Sequence, residues 1–243
     1  MDRFSAKPGN GPLYQQVKKL IVGRIVDGTW QPGDQLPSES RLGLEMGTSQ
    51  GTVRKALDDL VAGNLVIRHQ GRGTFVATHT AQRELFHFFH LVGRDGKKQL
   101  PVNSRLIDCS RRRASRDEAD RLSLSASAYV VVIIRVRNLD NRPVIFETIV
   151  VPAVRFPGLG QDEELPNELY QLYEESYATT IHKATERLRA VSASRDEARA
   201  LGLPGGTPLL EIDRLAETLN GTPVEWRVSR CDSRTHSYLS EIV

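Results

Sequence analysis

Two arginines stand two residues apart in the stretch VVVIIRVRN, and Arg135 and Arg137 at that spacing project from one face of a strand. Planar, forked donors so placed suit an anion, because each guanidinium can grip a phosphate or carboxylate through two parallel hydrogen bonds. Asp140-Asn141 is a turn signal shortly after, and a short hairpin closing there brings Glu147 of the returning strand beside Arg135. The same residue types also fit a solvated sheet face carrying cross-strand Arg–Glu pairs, with Val130, Val132, Ile134 and Val136 on the opposite, apolar face.

A second constellation lies in SQGTVRK. Ser49, Gln50, Thr52, Arg54 and Lys55 crowd the front of an amphipathic segment whose apolar positions are Val53, Leu57, Leu60 and Val61. Arg pairs with guanine O6 and N7, and Gln with adenine N6 and N7, whereas Lys55 and Arg72 suit phosphate. The plainer alternative is a small helical domain whose polar helix start faces water.

Other clusters carry less chemistry. His87-x-x-His90 has no third metal ligand nearby, and Cys109 and Cys231 are too few for a disulfide framework, which suits a reducing cytoplasm. No phosphate-binding Walker loop and no Ser/His/Asp arrangement is present. The Arg111-Arg112-Arg113 run, followed by Asp117, Glu118 and Asp120, reads as a solvated loop entering a helix. No catalytic residue, metal ligand or cofactor is therefore assigned.

The elements that position these residues follow from periodicity. Leu13, Val17, Leu20, Ile21 and Ile25 have helical spacing, and Pro32-Gly33 marks the turn after Gly28. Ser38 is a natural N-cap for a short helix carrying Leu42 and Met46, and Thr48 or Ser49 caps the next. Two short helices joined through Gly47-Thr48-Ser49 match helix-turn-helix geometry, in which the second helix enters the major groove. Leu65–His69 and Thr74–Ala77 then form a hairpin wing around Gln70, Gly71, Arg72 and Gly73.

The larger remainder alternates strands at Asn103–Cys109, Tyr129–Asn138, Val144–Val151, Ala184–Ala193, Leu209–Glu217 and Val224–Arg230 with helices at Arg116–Leu122, Asn167–Ser176 and Arg195–Leu201. SRDEADRL recurs as SRDEARAL 79 residues later, each copy leading into a strand, a turn and a returning strand. Two such hairpins form one continuous sheet, and a pocket between the halves suits a small ligand. Asn220-Gly221 reads as a strong two-residue hairpin turn.

Composition agrees. The chain has 243 residues, 39% hydrophobic and 26% charged, without an apolar run long enough to span a membrane and without a secretory signal. Residues 1–78 hold ten Lys/Arg against seven Asp/Glu, and the rest is balanced at 23 of each, so the excess positive charge sits where an anionic partner would be met.

The motifs PLYQQVKKLI, PGDQLPSE and GTSQGTVRKALDDLVAGNLVIRHQGRGTFV resemble the winged helix-turn-helix of GntR-type transcriptional regulators over about residues 11–77. The resemblance implies DNA contacts from Ser38, Ser40, Ser49, Gln50, Thr52, Arg54, Lys55, Gln70, Gly71 and Arg72. Ser40 and Gln50 stand where the family commonly has arginine, so the operator is expected to depart from the family's common GT…AC half-sites. IIRVR, NRPVIFE, VPAVRFPGL, ELYQLYEESY and NGTPVEWR resemble the UTRA ligand-sensing domain of the HutC branch over roughly residues 84–243. That resemblance implies a fold similar to chorismate lyase and effector contacts from Arg135, Arg137, Glu147 and Glu225, with Phe89 and His90 from the loop after the first strand.

The basic tail RVSRCDSRTHSYL, with Arg227, Arg230, Arg234 and His236, departs from the family's tyrosine-rich ending, so a di- or tricarboxylate or another polar acid fits at least as well as the family's familiar sugar-phosphate effectors. The expected protein is an α+β chain: a winged helix-turn-helix at 1–78, a linker at 79–83, and a mainly antiparallel sensor and dimerisation domain at 84–243. It is expected to be a cytoplasmic homodimeric repressor that binds a near-palindromic double-stranded DNA operator and a small acidic effector, with no membrane partner. The competing classes are a ligand-converting enzyme of chorismate-lyase-like fold fused to a DNA-binding module, and a non-specific architectural DNA binder.

Overall fold

Helix caps divide the first third of the chain. In the computed structural model, which describes residues 11–78, 89–160 and 165–241, helices α1 (Leu13–Val26), α2 (Glu39–Glu45) and α3 (Gln50–Ala62) precede a hairpin of β1 (Val66–His69) and β2 (Gly73–Val76). The Ser38 hydroxyl accepts from Arg41 N and the Ser49 hydroxyl from Thr52 N, so each serine satisfies a helix-end donor. Val17, Ile21, Leu42, Val53, Ala56, Leu57 and Leu60 form one core with Leu36, Val66 and Val76. Leu13 and Leu20 share the helical spacing of α1 but are 63% and 45% exposed, because α3 covers only the Val17–Ile21 stripe.

Met1–Thr78 is one compact unit and His79–Val243 a second. The linker expected at 79–83, and His87, lie outside the described residues.

The second unit is built on an antiparallel six-stranded sheet of order β4-β5-β6-β9-β8-β7. Its strands are β4 (Asn103–Arg113), β5 (Tyr129–Leu139), β6 (Arg142–Pro152), β7 (Lys183–Ser192), β8 (Pro208–Glu217) and β9 (Pro223–Cys231). Helix α4 (Arg116–Arg121) follows β4, α5 (Leu169–Tyr177) follows β6, and α6 (Arg195–Leu201) follows β7. A small ladder of β3 (Leu91–Gly93) with β10 (His236–Tyr238) completes the unit.

The order is symmetric about the β6–β9 seam. Each half runs strand, capped helix, hairpin, so the repeat includes β4 and β7 as well as the segments legible in sequence. Both helices begin with a reciprocal capping box, Ser115 with Glu118 and Ser194 with Glu197. The helices cross over between halves: Arg121 of α4 donates to Asp213 of β8 at 3.0 Å, and α6 packs Ala198 and Leu201 against Val136 of β5. The opposite face is covered by α5, where Tyr170, Tyr173 and Phe156 pack on Val131, Ile133, Ile149 and Val151.

Three expectations are corrected. Arg111-Arg112-Arg113 is not a loop but the end of β4, an exposed edge strand; Arg112 pairs with Glu118 and Arg111 lies over the Tyr129 ring at 4.2 Å. Asp140 and Asn141, with φ of 48° and 60°, make the tight two-residue turn, and Leu139 pairs with Arg142. Asn220-Gly221 closes a wider loop, because the Asn220 side chain accepts from Thr222 N at 3.3 Å and Thr222 Oγ1 at 2.9 Å. Finally, the arginine face of β5 is not solvated: Arg135 is 1% exposed and Arg137 3%.

Candidate functional site

In the N-terminal unit the first turns of α2 and α3 come together at one carboxylate. Glu39 accepts from Arg54 Nε at 2.9 Å, from Gln50 Nε2 at 3.3 Å and from Arg68 Nη2 at 3.1 Å. The Arg54 hydrogen bond holds the Glu39 carboxyl below its usual range, so the group is ionised. Gln50, Arg54 and Lys55 are exposed, and Gln50 and Arg54, four residues apart, share one face of α3. The Lys55 ammonium rests 4.2 Å from the Tyr14 ring centroid. Gly43 lets the helices close: a Cβ there would stand 2.9 Å from the Thr48 carbonyl oxygen. At the wing tip Gln70, Gly71 and Arg72 are exposed, Gly71 adopts φ 71°, and Gln35 Nε2 donates to the Arg72 carbonyl at 2.7 Å.

In the C-terminal unit a narrow cleft, about 480 Å³ counting the solvent space at its open mouth, lies over the β6–β9 seam. Its floor includes Glu147, Arg227, Ser229 and Cys231. Arg137 stands on one side, Arg214 on the other, and Phe89, His90 and Tyr238 line it from the termini of the unit.

Glu147 is the hub of the floor. It accepts from Arg135 Nε at 2.7 Å and from the Ser229 hydroxyl at 3.1 Å, with Arg137 at 3.9 Å and Arg227 at 3.8 Å. Burial alone would raise its pKa, but the charges of Arg135, Arg227 and Arg137 overcome that and hold it far below the usual carboxylate range. Glu225 lies behind Arg227, which it binds through both Nε at 3.0 Å and Nη2 at 2.8 Å. Tyr170 and Tyr173 donate to the same carboxylate at 3.0 and 2.9 Å, and burial raises both phenols. Arg214 is held by Glu186, to which Tyr238 also donates.

Pseudo-symmetry explains the charge pattern. Arg135 faces Glu147 across β5–β6, while at the corresponding register of β8–β9 Arg214 faces Arg227. The second half thus sets two like charges directly opposite each other, an unfavourable pair unless anions lie nearby.

Two family models match the chain: the gntR family of bacterial regulatory proteins over residues 13–76, and the UTRA domain over residues 97–237. The chain belongs to the GntR family of bacterial transcriptional regulators, in the branch carrying a UTRA domain. It is similar to an uncharacterized HTH-type transcriptional regulator, YurK, of Bacillus subtilis, 31% identical over 88% of each chain. It is also similar to the histidine utilization repressor of Pseudomonas putida, 29% identical over 85% of this chain and 82% of the relative. PhnF of Mycobacterium smegmatis shares the fold, with a TM-score of 0.56 at 23% identity over 93% of this chain and 99% of that one.

This GntR regulator is a DNA-binding protein with an effector-binding domain, not an enzyme. Among the described residues no group of three or more His, Cys, Asp and Glu can hold a metal, and no helix is long and apolar enough to cross a membrane.

Of the residues expected to hold an effector, Phe89, His90, Arg137 and Glu147 line the cleft, whereas Arg135 and Glu225 stand behind it and hold its walls. Arg214, Ser229, Cys231 and Tyr238 were not expected there. Arg214 lies 79 residues after Arg135, so the internal repeat carried that signal. The basic tail does not enter as a block: Arg227 lines the cleft, but Arg230 binds Glu197 and Glu211, Arg234 binds Asp232, and His236 meets Gln99. On the DNA side, Ser38 and Ser49 are helix caps, Ser40 is exposed on α2 and Thr52 is partly buried against the Ser49 hydroxyl.

Proposed function

We propose that this regulator is a cytoplasmic, homodimeric repressor whose affinity for a near-palindromic operator is changed by a small acidic metabolite bound over the β6–β9 seam. Residues 1–78 serve as the DNA-reading domain, 79–83 as linker and 84–243 as effector-binding and dimerisation domain. Gln50, Arg54 and the wing tip meet the operator, with Lys55 and Arg72 on phosphate.

The observation that carries the acidic effector is the trio Arg137, Arg214 and Arg227 in one cleft lining. Their partners Glu186 and Glu225 do not line the cleft, so it presents more guanidinium than carboxylate. Arg137 and Arg214 stand on β5 and β8, three strand spacings apart, or about 14 Å between backbones. That span suits an extended molecule with an acidic group at each end.

The test is a thermal-shift screen of dicarboxylates, amino acids and sugar phosphates against the natural chain and Arg227→Ala. A ligand at 100 times its Kd stabilises by about 2.7 kcal/mol. An acid that raises the melting temperature of the natural chain but not of Arg227→Ala, and that shifts operator affinity by a coupling of ~1–3 kcal/mol, supports the reading. Stabilisation by neutral sugars alone would overturn the acidic effector.

A further inference from the structure

We infer that Glu39 is the positioning residue of the DNA-reading face: its carboxylate orients Arg54 and Gln50 and so sets the base that α3 selects. The inference rests on the DNA-reading role proposed above and adds a residue that itself contacts no base.

The geometry is side-on. Arg54 Nε donates to Glu39 Oε2 at 2.9 Å, and Arg54 Nη2 lies 2.8 Å from the same oxygen. A guanidinium held along that edge keeps its end-on fork, the remaining Nη1 and Nη2 hydrogens, directed away from Glu39. That fork is the edge that reads two adjacent acceptors such as guanine O6 and N7. Glu39 therefore aims the reading edge without occupying it.

The same oxygen takes Gln50 Nε2 at 3.3 Å, which turns the amide nitrogen towards α2 and the carbonyl oxygen away. The other oxygen takes Arg68 Nη2 of β1 at 3.1 Å, and Arg68 also pairs with Asp58. One carboxylate thus ties α2, α3 and the wing strand together at the face where the operator is met.

A purely structural reading explains this poorly. Arg54 is 57% exposed and Arg68 39%, and exposed ion pairs add little to stability. A carboxylate on a face that meets phosphate also weakens non-specific attraction, so its placement costs general affinity. Orientation of a reading side chain is the return for that cost.

The experiment compares the full natural chain with Glu39→Gln, Glu39→Asp and Arg54→Ala. Each is used to select binding sequences from random DNA, then titrated on the selected operator, its single-base-pair variants and random duplex. Arg54→Ala is expected to lose preference at one base pair of each half-site. Glu39→Gln is expected to lose about tenfold discrimination at that same base pair. It should bind random duplex more tightly, with its melting temperature unchanged. Glu39→Asp keeps the charge but shortens the reach, so random binding should stay at the natural level while discrimination falls. Full discrimination by Glu39→Gln, with Arg54→Ala losing it, overturns the inference and leaves the DNA-reading role intact. Equal weakening on all sequences with a lowered melting temperature also overturns it, by making Glu39 a structural residue. An unchanged selected sequence for Arg54→Ala overturns the reading role of α3, and this inference with it.

Discussion

Replacing Glu147 by Gln removes one charge from the cleft floor and almost no volume. In the folded protein that carboxylate is 3% exposed, 2.7 Å from Arg135 and within 4 Å of Arg137 and Arg227. Three guanidiniums would then surround a neutral amide. Taking one partner from a buried ion pair costs about 3–5 kcal/mol. For a domain of this size each kcal/mol moves the melting temperature by roughly 2–4 °C, so a fall of roughly 6–20 °C is expected. Trp226 lies in the C-terminal unit, and a Trp30→Phe background leaves it as the single tryptophan for following that unit's unfolding.

The pH dependence gives a second readout. The folded Glu147 carboxyl lies below its unfolded value, so its contribution is fully present above a pH of about 4.3 and is lost as the pH falls. The gap between natural chain and variant should therefore hold from neutral pH to about 4.3, then close by up to about 1.4 kcal/mol per pH unit. Inorganic phosphate should stabilise the variant more than the natural chain, since an anion can replace the lost charge. A loss below about 3 °C, or a gap that persists undiminished in acid, would refute the claim that Glu147 neutralises this arginine cluster.

Three further substitutions test the packing that positions the two sites. Gly43→Ala should destabilise the N-terminal unit by about 1–3 kcal/mol, read by Trp30 fluorescence, because the new Cβ meets the Thr48 carbonyl. Gly160→Ala faces two costs, a Cβ 2.1 Å from Cys109 Sγ and a φ of 75°. In urea unfolding Cys109→Ala should rescue the first cost and leave a residual of about 1–2 kcal/mol from the second. Tyr173→Phe removes one of the buried donors to Glu225 and should cost about 1–3 kcal/mol in thermal unfolding; an unchanged midpoint would mean that water replaces the phenol.

Local chemistry was legible in the sequence because it acts over a few residues. The caps Ser38 and Ser49 and the α3 core stripe each depend on spacings of three or four positions, as do the twin boxes Ser115/Glu118 and Ser194/Glu197 that the structure shows inside the SRDEADRL/SRDEARAL repeat. Arg135 beside Glu147 was legible too, since a tight turn at Asp140-Asn141 sets their register. The 79-residue echo announced the symmetric halves, and the head motif announced the family.

Tertiary structure alone decided what those halves enclose. Period-two alternation assigns Arg135 and Arg137 to one face but does not say whether water or protein covers it; the segment just before α5 does, with the Asn167 carbonyl accepting from both arginines. Nor does it say which strands meet at the centre of the sheet. Pairing β6 with β9 places Glu147 opposite Ser229, 82 residues away, and puts Arg227 and Cys231 on the same floor. The gathering of Glu39, Gln50, Arg54 and Arg68 has the same origin, since two helices and a wing strand must pack before one carboxylate can reach all three partners. Residue type and spacing determined which side chains can bind an anion or a base. Packing of distant segments determined which of them share a wall, because contact across a sheet or a helix pair depends on neighbours that no local period encodes.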